Sequence, residues 1–454
     1  MDLPKELINK LINVTGFEKD KFIESHSINP TISIRLNSKK NNAFDTSNLV
    51  NVPWLDEGKY LENKIRFSLD PLWHAGSYYV QEASSMIIGQ IIKQNIPKEN
   101  EINALDFCAA PGGKTTCIAD NINENSLLVS NEINQKRISS LKENVVKWGS
   151  GNIAISNSTA DKFKEIEEFF DLILIDAPCS GSGMFRKDEF ALKQWSQQLV
   201  NSCSTTQKDI TSKLLNSLAK EGILIYSTCS FSKEENEDIC DSILENSELE
   251  NVLVSILNEW NITETISDKH KAKGYRFWPY NLNGEGFFVS AFRKKGTKKI
   301  KDIKSKSIDT FKPTQLLNNW LKENLKIEFE PNYLLHNETI GIENKKHSQK
   351  INYLKKYIYF VYSGTDIAKE SHKEIIPQAE LAFGTLVKYA SNTIEVNKIK
   401  ALSFLSKQPI IFDEPKGWYL ITYQNQGLGF IKQLENRSNN YFPIEWRLRD
   451  FSSV

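Results

Sequence analysis

A doubly wound parallel α/β sheet, with a small α/β module before it and a β-rich module after it, is the fold this sequence predicts. Three observations predict it. Strand-like and helix-like apolar patterns alternate over about 190 residues from residue 84 onward. Several of these strands run into turns of Gly, Pro and Ser. The run Leu172–Ile175 is continuously apolar, as a strand buried on both faces must be.

The elements follow in order. Residues 2–26 predict an amphipathic helix, with Leu3, Leu7, Ile8, Leu11 and Ile12 at helical spacing. A strand over Thr31–Leu36 and a polar loop complete a module of about 65 residues. Ser84–Gln94 reads as an apolar helix, and Ala104–Phe107 as a short strand ending in a glycine turn. Thr115–Asn121 is helical, Leu127–Ser130 a strand, and Asn134–Trp148 a helix closed by Gly149. Strands over Ile153–Ser156, Leu172–Ile175, Ile223–Tyr226 and Phe287–Phe292 accompany helices over Gln197–Ala219 and Lys233–Glu245. The domain limits read from this pattern are 1–66, 67–295, a basic linker 296–312, a mixed module 313–370 and a β-rich module 371–454.

Composition narrows the class. Of 454 residues, 40% are hydrophobic and 11% aromatic, which excludes a largely disordered chain. No apolar run reaches the roughly 18 residues of a membrane span. Asp2 and Pro4 stand where a signal peptide would be basic and then apolar, so a cytoplasmic protein is expected. All six cysteines lie between Cys108 and Cys240 with no C-x-x-C spacing, which predicts neither a disulfide framework nor a zinc site. The 57 basic and 57 acidic side chains cancel, but they are segregated. Residues 101–292 carry 18 basic and 28 acidic groups, net −10, and residues 293–454 carry 27 and 17, net +10. A polyanionic partner for the C-terminal third is the expectation, with an affinity that falls as salt rises.

The turns carry the chemistry. The strand before Cys108 opens into Cys108-Ala109-Ala110-Pro111-Gly112-Gly113-Lys114-Thr115, small residues that let a ligand approach the backbone closely. A phosphate loop would need glycine at Cys108, which excludes an ATPase reading. Glu132 ends the second strand 24 residues after Cys108, about where such folds place an acid for ribose hydroxyls. The fourth strand ends in Asp176-Ala177-Pro178-Cys179 and the fifth in Ser227-Thr228-Cys229. Ligands bind beyond the carboxyl ends of such strands, and neighbours lie about 4.8 Å apart. If these two strands are neighbours, Cys179, Cys229 and Asp176 share a pocket. Two thiols beside a nucleoside-type site suit methylation of pyrimidine carbon 5, a poor nucleophile until a thiolate adds to carbon 6.

These motifs resemble those of the Sun family of RNA cytosine-5 methyltransferases, in the branch of ribosomal small-subunit methyltransferase F. The match covers nearly the whole chain, from His74–Glu82 through Cys108–Thr115, Asn131-Glu132, Asp176–Asp188 and Thr228–Ser230 to Tyr275–Phe288. Gly427–Phe430, Asn436-Arg437, Tyr441–Pro443 and Trp446-Arg447 resemble the family's PUA-like RNA-binding module. The resemblance implies a Rossmann-like S-adenosylmethionine-dependent methyltransferase domain between an N-terminal RNA-binding module and a PUA-like module. It implies Cys229 as the nucleophile, Cys179 as the thiol that releases product, and Asp176 at the cytosine edge near the cofactor. S-adenosylmethionine would bind along Cys108, Ala109, Ala110, Pro111, Gly112, Gly113, Lys114, Glu132, Asp176 and Arg137. Arg137, Arg186 and Lys187 are candidate RNA contacts, as are Lys432, Arg437, Arg447 and Arg449. The loop after the third strand lacks the family's usual acid for the adenine side and offers Thr159 or Asp161 instead. The implied partner is ribosomal RNA or a small-subunit assembly intermediate, met by a monomer without metal. Transfer-RNA methylation is the alternative within the class, and a non-catalytic ribosome-assembly factor the alternative outside it.

Overall fold

The computed structural model describes residues 2–40, 44–62, 65–298 and 310–449, so most of the expected basic linker lies outside the described residues. The single helix expected over residues 2–26 is two, Lys5–Leu11 and Lys19–Ser25, because the chain turns at Gly16 with φ +78°. Their apolar faces are not left for solvent. Leu7, Ile8, Leu11 and Phe22 pack on Phe185, Trp195, Phe231 and Trp278 of the following domain. An antiparallel sheet then forms from β1 (Ile32–Leu36), β2 (Asn51–Val52), β3 (Leu55–Leu61) and β4 (Tyr78–Val80), in the order β2-β3-β1-β4. Its last strand lies past residue 66, so this module reaches further along the chain than the alternation of patterns suggests.

The central sheet contains β5 (Asn103–Asp106), β6 (Leu127–Asn131), β7 (Ile153–Ser156), β8 (Phe170–Asp176) and β9 (Leu218–Thr228). It continues with β10 (Leu249–Val252), β11 (Thr263–Ile266), β12 (Lys273–Phe277) and β13 (Phe287–Lys294). The order β11-β12-β13-β9-β8-β5-β6-β7 has five parallel strands from β9 to β7 and antiparallel strands beyond β9, with β10 paired to the far end of β13. The doubly wound expectation holds for those five. β10, β11 and β12 were not expected, since strands such as Thr263-Glu264-Thr265-Ile266 carry too little apolar alternation to be read alone. The helix read as Gln197–Ala219 stops at Leu214, and Leu218-Ala219 already belong to β9. The helix read from Lys233 begins only at Glu237, after a 3-10 turn. Asn236 breaks it with φ −119° and ψ −95°, its side chain bonded to Thr228 and to the Ser230 carbonyl.

The sheet does not end at β7. The strand Phe360–Tyr362 adds to it antiparallel, pairing Phe360 with Ser156 and Tyr362 with Ile155. The helix Lys345–Leu354 before it buries Ile351 and Leu354 in the cluster that holds Phe163, Phe169 and Phe170. Part of the segment read as a separate module over 313–370 is therefore an edge of the central sheet. About 200 residues separate the paired strands, which hides the pairing from local patterns. Cutting the chain near residue 295 would remove a strand and a helix from this domain as well as the C-terminal charge. Among the described residues the remaining C-terminal strands form a two-stranded pair, Leu325–Ile327 with Val387–Tyr389, and two small four-stranded sheets, one of them from Thr393–Glu395, Gly417–Tyr423, Gln426–Gln433 and Ser438–Asn440. Among the described residues no helix is long and apolar enough to cross a membrane.

Candidate active site

β5 has β6 on one side and β8 on the other, so the strand order reverses there and opens a crevice at the carboxyl ends. Asn131, the last residue of β6, ties these ends together. Its Nδ2 donates to the carbonyls of Phe107 (3.2 Å) and Ser158 (3.0 Å), and its Oδ1 accepts from the Ser158 N–H (3.0 Å). The loop after β5 turns at Gly112 with φ +113°, and a Cβ on Gly113 would stand 3.1 Å from the Tyr79 ring. Arg35 on β1 supports the helix Gly113–Asn121 from behind. It is fully buried, pairs with Asp120, and donates to Gln81 Oε1 (2.8 Å) and Thr116 Oγ1 (2.6 Å). On the outer side Arg137 donates from Nη2 to the Ala110 carbonyl and sets Nη1 3.6 Å from Glu132.

On the other side of the crevice β8 and β9 are neighbours, Asp176 in register with Ser227. That pairing brings Cys179 Sγ and Cys229 Sγ to 3.1 Å. Asp176 accepts from Ser227 Oγ (2.9 Å) through Oδ1 and from Lys114 Nζ (2.8 Å) through Oδ2. Burial works against the Lys114 charge, yet the Asp176 carboxylate outweighs it and lifts the ammonium above its ordinary pKa. The hydrogen bond with Cys229, then burial, push the Cys179 thiol well above the usual thiol range. Cys108 is also raised, by burial and then by Asp176, Asp106 and Glu132, so it lines the crevice as a neutral thiol. A cavity of about 400 Å³ joins Tyr79, Cys108, Ala109, Ala110, Pro111, Gly113, Lys114, Arg137, Asp176, Cys229 and Phe287.

The two cysteine loops are locked to each other. Glu235 accepts from the Ser180 N–H (2.8 Å), Ser180 Oγ (2.6 Å), Ser230 Oγ (2.5 Å) and Gln207 Nε2 (3.3 Å). Gly183 donates its N–H to the Cys229 carbonyl at 2.8 Å, and a Cβ there would fall 2.3 Å from the Gly286 carbonyl oxygen. Sequence reasoning missed Glu235, Arg35 and Tyr79. The signal for Glu235 was an acid six residues after Cys229 inside an otherwise helical pattern.

The family description 16S rRNA methyltransferase RsmB/F matches residues 94–293, that of the RsmF N-terminal domain residues 3–83, and that of the methyltransferase RsmF PUA domain residues 391–448. The chain is 32% identical over 418 residues to ribosomal RNA small subunit methyltransferase F of Vibrio parahaemolyticus, covering 87% of this chain and 85% of that protein. The same enzyme of Psychromonas ingrahamii is 31% identical over 425 residues, again covering 87% and 85%. The chain belongs to the ribosomal RNA small subunit methyltransferase F family. Among solved structures, a methyltransferase homolog from Pyrococcus horikoshii covers 64% of this chain and all of its own, with TM-score 0.51 and 26% identity. NSun6 from the same organism (TM-score 0.52, 21% identity, 65% of this chain and 99% of that one) shares the fold.

The residues at the crevice of this methyltransferase fit S-adenosylmethionine. The turn at Gly112 leaves the backbone open to close approach, Glu132 presents a carboxylate at the end of β6, and buried Asp106 Oδ1 accepts no hydrogen bond from the protein. Burial raises the Asp106 carboxyl to about 7. Other expected contacts lie elsewhere. Arg186 is buried on Glu285 (2.8 Å) and the Gly284 carbonyl (2.7 Å), with Lys187 3.8 Å from the same carboxylate, so Arg186 is a structural cation rather than an RNA contact. Asp161 pairs with Lys213 at 2.9 Å, turned toward the helix Gln197–Leu214. Lys432 is held by Glu374 (2.5 Å), whereas Arg437, Arg447 and Arg449 are exposed.

Proposed function

We propose that this enzyme methylates carbon 5 of a cytosine in ribosomal RNA through a transient bond from Cys229 to carbon 6. The observation that carries the reading is the pair of strand-end thiols 3.1 Å apart, with Cys229 lining the cavity shared by Lys114 and Asp176. S-adenosylmethionine, when bound, supplies the electrophilic methyl group. Cys229 Sγ adds to carbon 6, placing the electron pair of the 5,6 double bond on carbon 5. Lys114 Nζ, 2.8 Å from Asp176 Oδ2, lines the same cavity as the attacking sulfur. Asp176, fixed by Lys114 and Ser227, holds the cytosine edge. After methyl transfer the carbon-5 proton passes to a water molecule, the electron pair of the C5–H bond re-forms the 5,6 double bond, and the S–C6 pair leaves with the sulfur to return the Cys229 thiolate. Cys179, kept protonated by its raised pKa, does not compete as a nucleophile and hydrogen-bonds the departing sulfur.

The target base must leave its stack to reach a thiol at the floor of a crevice, so a single-stranded or flipped cytosine is the substrate. The relatives' names assign ribosomal RNA of the small subunit, and exposed Arg437, Arg447 and Arg449 on the C-terminal module suit a polyanion. The test is transfer of labelled methyl groups to ribosomal RNA. Cys229→Ala is expected to lose activity by on the order of 10⁴-fold, and Cys179→Ala to accumulate a covalent RNA adduct that survives a denaturing gel. Full activity in Cys229→Ala refutes the nucleophile, and absence of the adduct in Cys179→Ala refutes the release role.

A further inference from the structure

A cavity of about 420 Å³ lies where three parts of the chain meet. The turn after β1 brings Lys39 and Lys40, the 3-10 segment Ala379–Phe383 and the residues after it bring Phe383 and Lys388, and the C-terminal sheet brings Thr393 and Asn425. The parts are held tightly. Thr385 donates both its N–H and its hydroxyl to the Gly149 carbonyl (3.0 Å each), and a Cβ on Gly149 would fall 2.0 Å from the Phe383 carbonyl oxygen. Lys40 Nζ donates to the carbonyls of Ala75 and Lys147 and lies 5.7 Å from the Phe383 ring centroid. At the rim Lys388, Thr393 and Asn425 are exposed.

The charge of this cavity is one-sided. Three lysines line it and no acid does. Lys388 stands 3.7 Å from Glu328. Lys39 and Lys40 are drawn into the wall, and among the described residues neither forms an ion pair. The Lys39 ammonium is closed off from solvent without a hydrogen-bond partner, and Asp120 and Glu124 act on it only from beyond ion-pair distance. Elsewhere buried cations have a carboxylate of their own: Arg35 has Asp120, Arg186 has Glu285 and Arg276 has Glu237. A buried charge without a counterion is costly. Burial accordingly lowers the pKa of Lys39 and takes Lys40 down to about 7. An anion in the cavity supplies the missing counter-charge to both.

We infer that this cavity holds a phosphodiester unit of the RNA substrate, so that the N-terminal and C-terminal modules grip one strand together. Lys388 meets the phosphate at the rim, and Lys39 and Lys40 set a positive field behind it. Thr393 and Asn425 add a hydroxyl and an amide, groups that bond phosphate and ribose oxygens. The helix Gln135–Trp148 ties this cavity to the active site. Near its start Arg137 lines the active-site cavity, and just past its end Gly149 meets the seam, about 18 Å away along the axis. An RNA whose cytosine lies beside Cys229 can therefore reach both.

The inference rests on reading ribosomal RNA as the substrate, and the experiment separates the two. Binding of the full-length chain to naked small-subunit ribosomal RNA is measured over a salt series, without methyl donor. Lys388→Ala is expected to weaken binding about tenfold near 0.1 M salt, and to reduce the slope of log affinity against log salt by about one. Lys322→Ala, at an exposed lysine off the cavity in the same part of the chain, gives the baseline for losing one positive charge. Thr393→Trp adds no charge but fills the space, so it should weaken binding several-fold and leave the slope unchanged. Lys388 and Thr393 are both exposed, so both variants should melt within a few degrees of the parent. The inference is overturned if Lys388→Ala binds no more weakly than Lys322→Ala, or if Thr393→Trp binds as the parent does. If the variants lose affinity only for assembled small subunits and keep it for naked RNA, a ribosomal protein fills the cavity, and the inference is likewise overturned. If the parent itself binds no ribosomal RNA, the substrate reading is wrong and this inference falls with it.

Discussion

The two sides of the crevice are built on different principles. On the β8–β9 side, the reacting thiols sit on loops whose polar groups are spent on one another, with Glu235 accepting four hydrogen bonds between them. Phe185 and Phe231, which follow the two cysteine motifs, are pinned from outside by Phe22 and its N-terminal neighbours. On the β6–β7 side the framework is fixed by Asn131 and Asn157, but the walls are open and apolar. The difference reflects what each side must do. Covalent chemistry needs two sulfurs and a carboxylate held to a fraction of an ångström. A donor that enters and leaves at every turnover needs a groove that stays accessible. Remote segments complete both sides, the N-terminal helices behind the thiols and the C-terminal strand beside β7.

The largest effect should come from breaking the thiol side at Glu235. Glu235→Ala takes away the acceptor of the Ser180 N–H and the carboxylate shared by the Ser180 and Ser230 hydroxyls, while Gln207 keeps its bond to the Pro178 carbonyl (2.9 Å), and it frees the loops to separate. Methyl transfer is expected to drop about 10²- to 10³-fold in kcat, with S-adenosylhomocysteine affinity unchanged because the donor side is untouched. Glu235→Gln, which keeps the shape and one acceptor, should recover part of the loss. Equal rates of RNA adduct formation in the parent and the alanine variant would show that the thiols hold their spacing without this carboxylate.

Breaking the donor side should be milder and local. Leu354 is fully buried under the sheet edge, and Leu354→Ala should cost about 2–5 kcal/mol at that site. The expected signature is faster amide exchange in Phe360–Tyr362 and β7, with β8 and β9 as protected as before. Loss of protection spread evenly over the sheet would mean that the edge and the thiol side unfold as one unit.

The same contrast decided what the sequence could reveal. The thiol side was legible because its parts are local: each cysteine follows its strand within three residues, and a parallel neighbour relation is all that joins them. Glu132 and the glycine turn were legible for the same reason. Three kinds of feature were not. Arg186 looks like a surface cation in sequence, and only the fold supplies Glu285 and buries the pair. Lys432 is taken by Glu374 from another strand region in the same way. Phe360–Tyr362 form a strand whose partner is β7, and no local pattern announces a pairing across about 200 residues. The three strands β10, β11 and β12 were missed because sheet pairing, rather than apolar alternation, stabilises them.

Acid offers the gentlest way to tell the two sides apart. His26 lies on the thiol side, its ring N–H donating to the Phe22 carbonyl (2.7 Å) and its ring centroid 6.3 Å from that of Phe231. His347 lies on the donor side, in the docking helix, donating from Nε2 to the Asn125 carbonyl (2.9 Å) with Nδ1 buried and unpaired. Burial lowers both to about 4 from the ordinary 6.5. A histidine whose folded pKa is depressed stabilises the fold above about 6.5, and that stability drains away as pH falls toward 4. By pH 5 each should have lost roughly 2 kcal/mol. The prediction is that amide protection of Phe360–Tyr362 declines between pH 7 and pH 5 once intrinsic exchange rates are divided out. His347→Gln, whose amide can still donate to Asn125, should flatten that decline, and His26→Gln should leave it in place. A decline that His26→Gln abolishes instead would place the acid-sensitive contact on the thiol side and join the two halves that the hydrogen bonding separates.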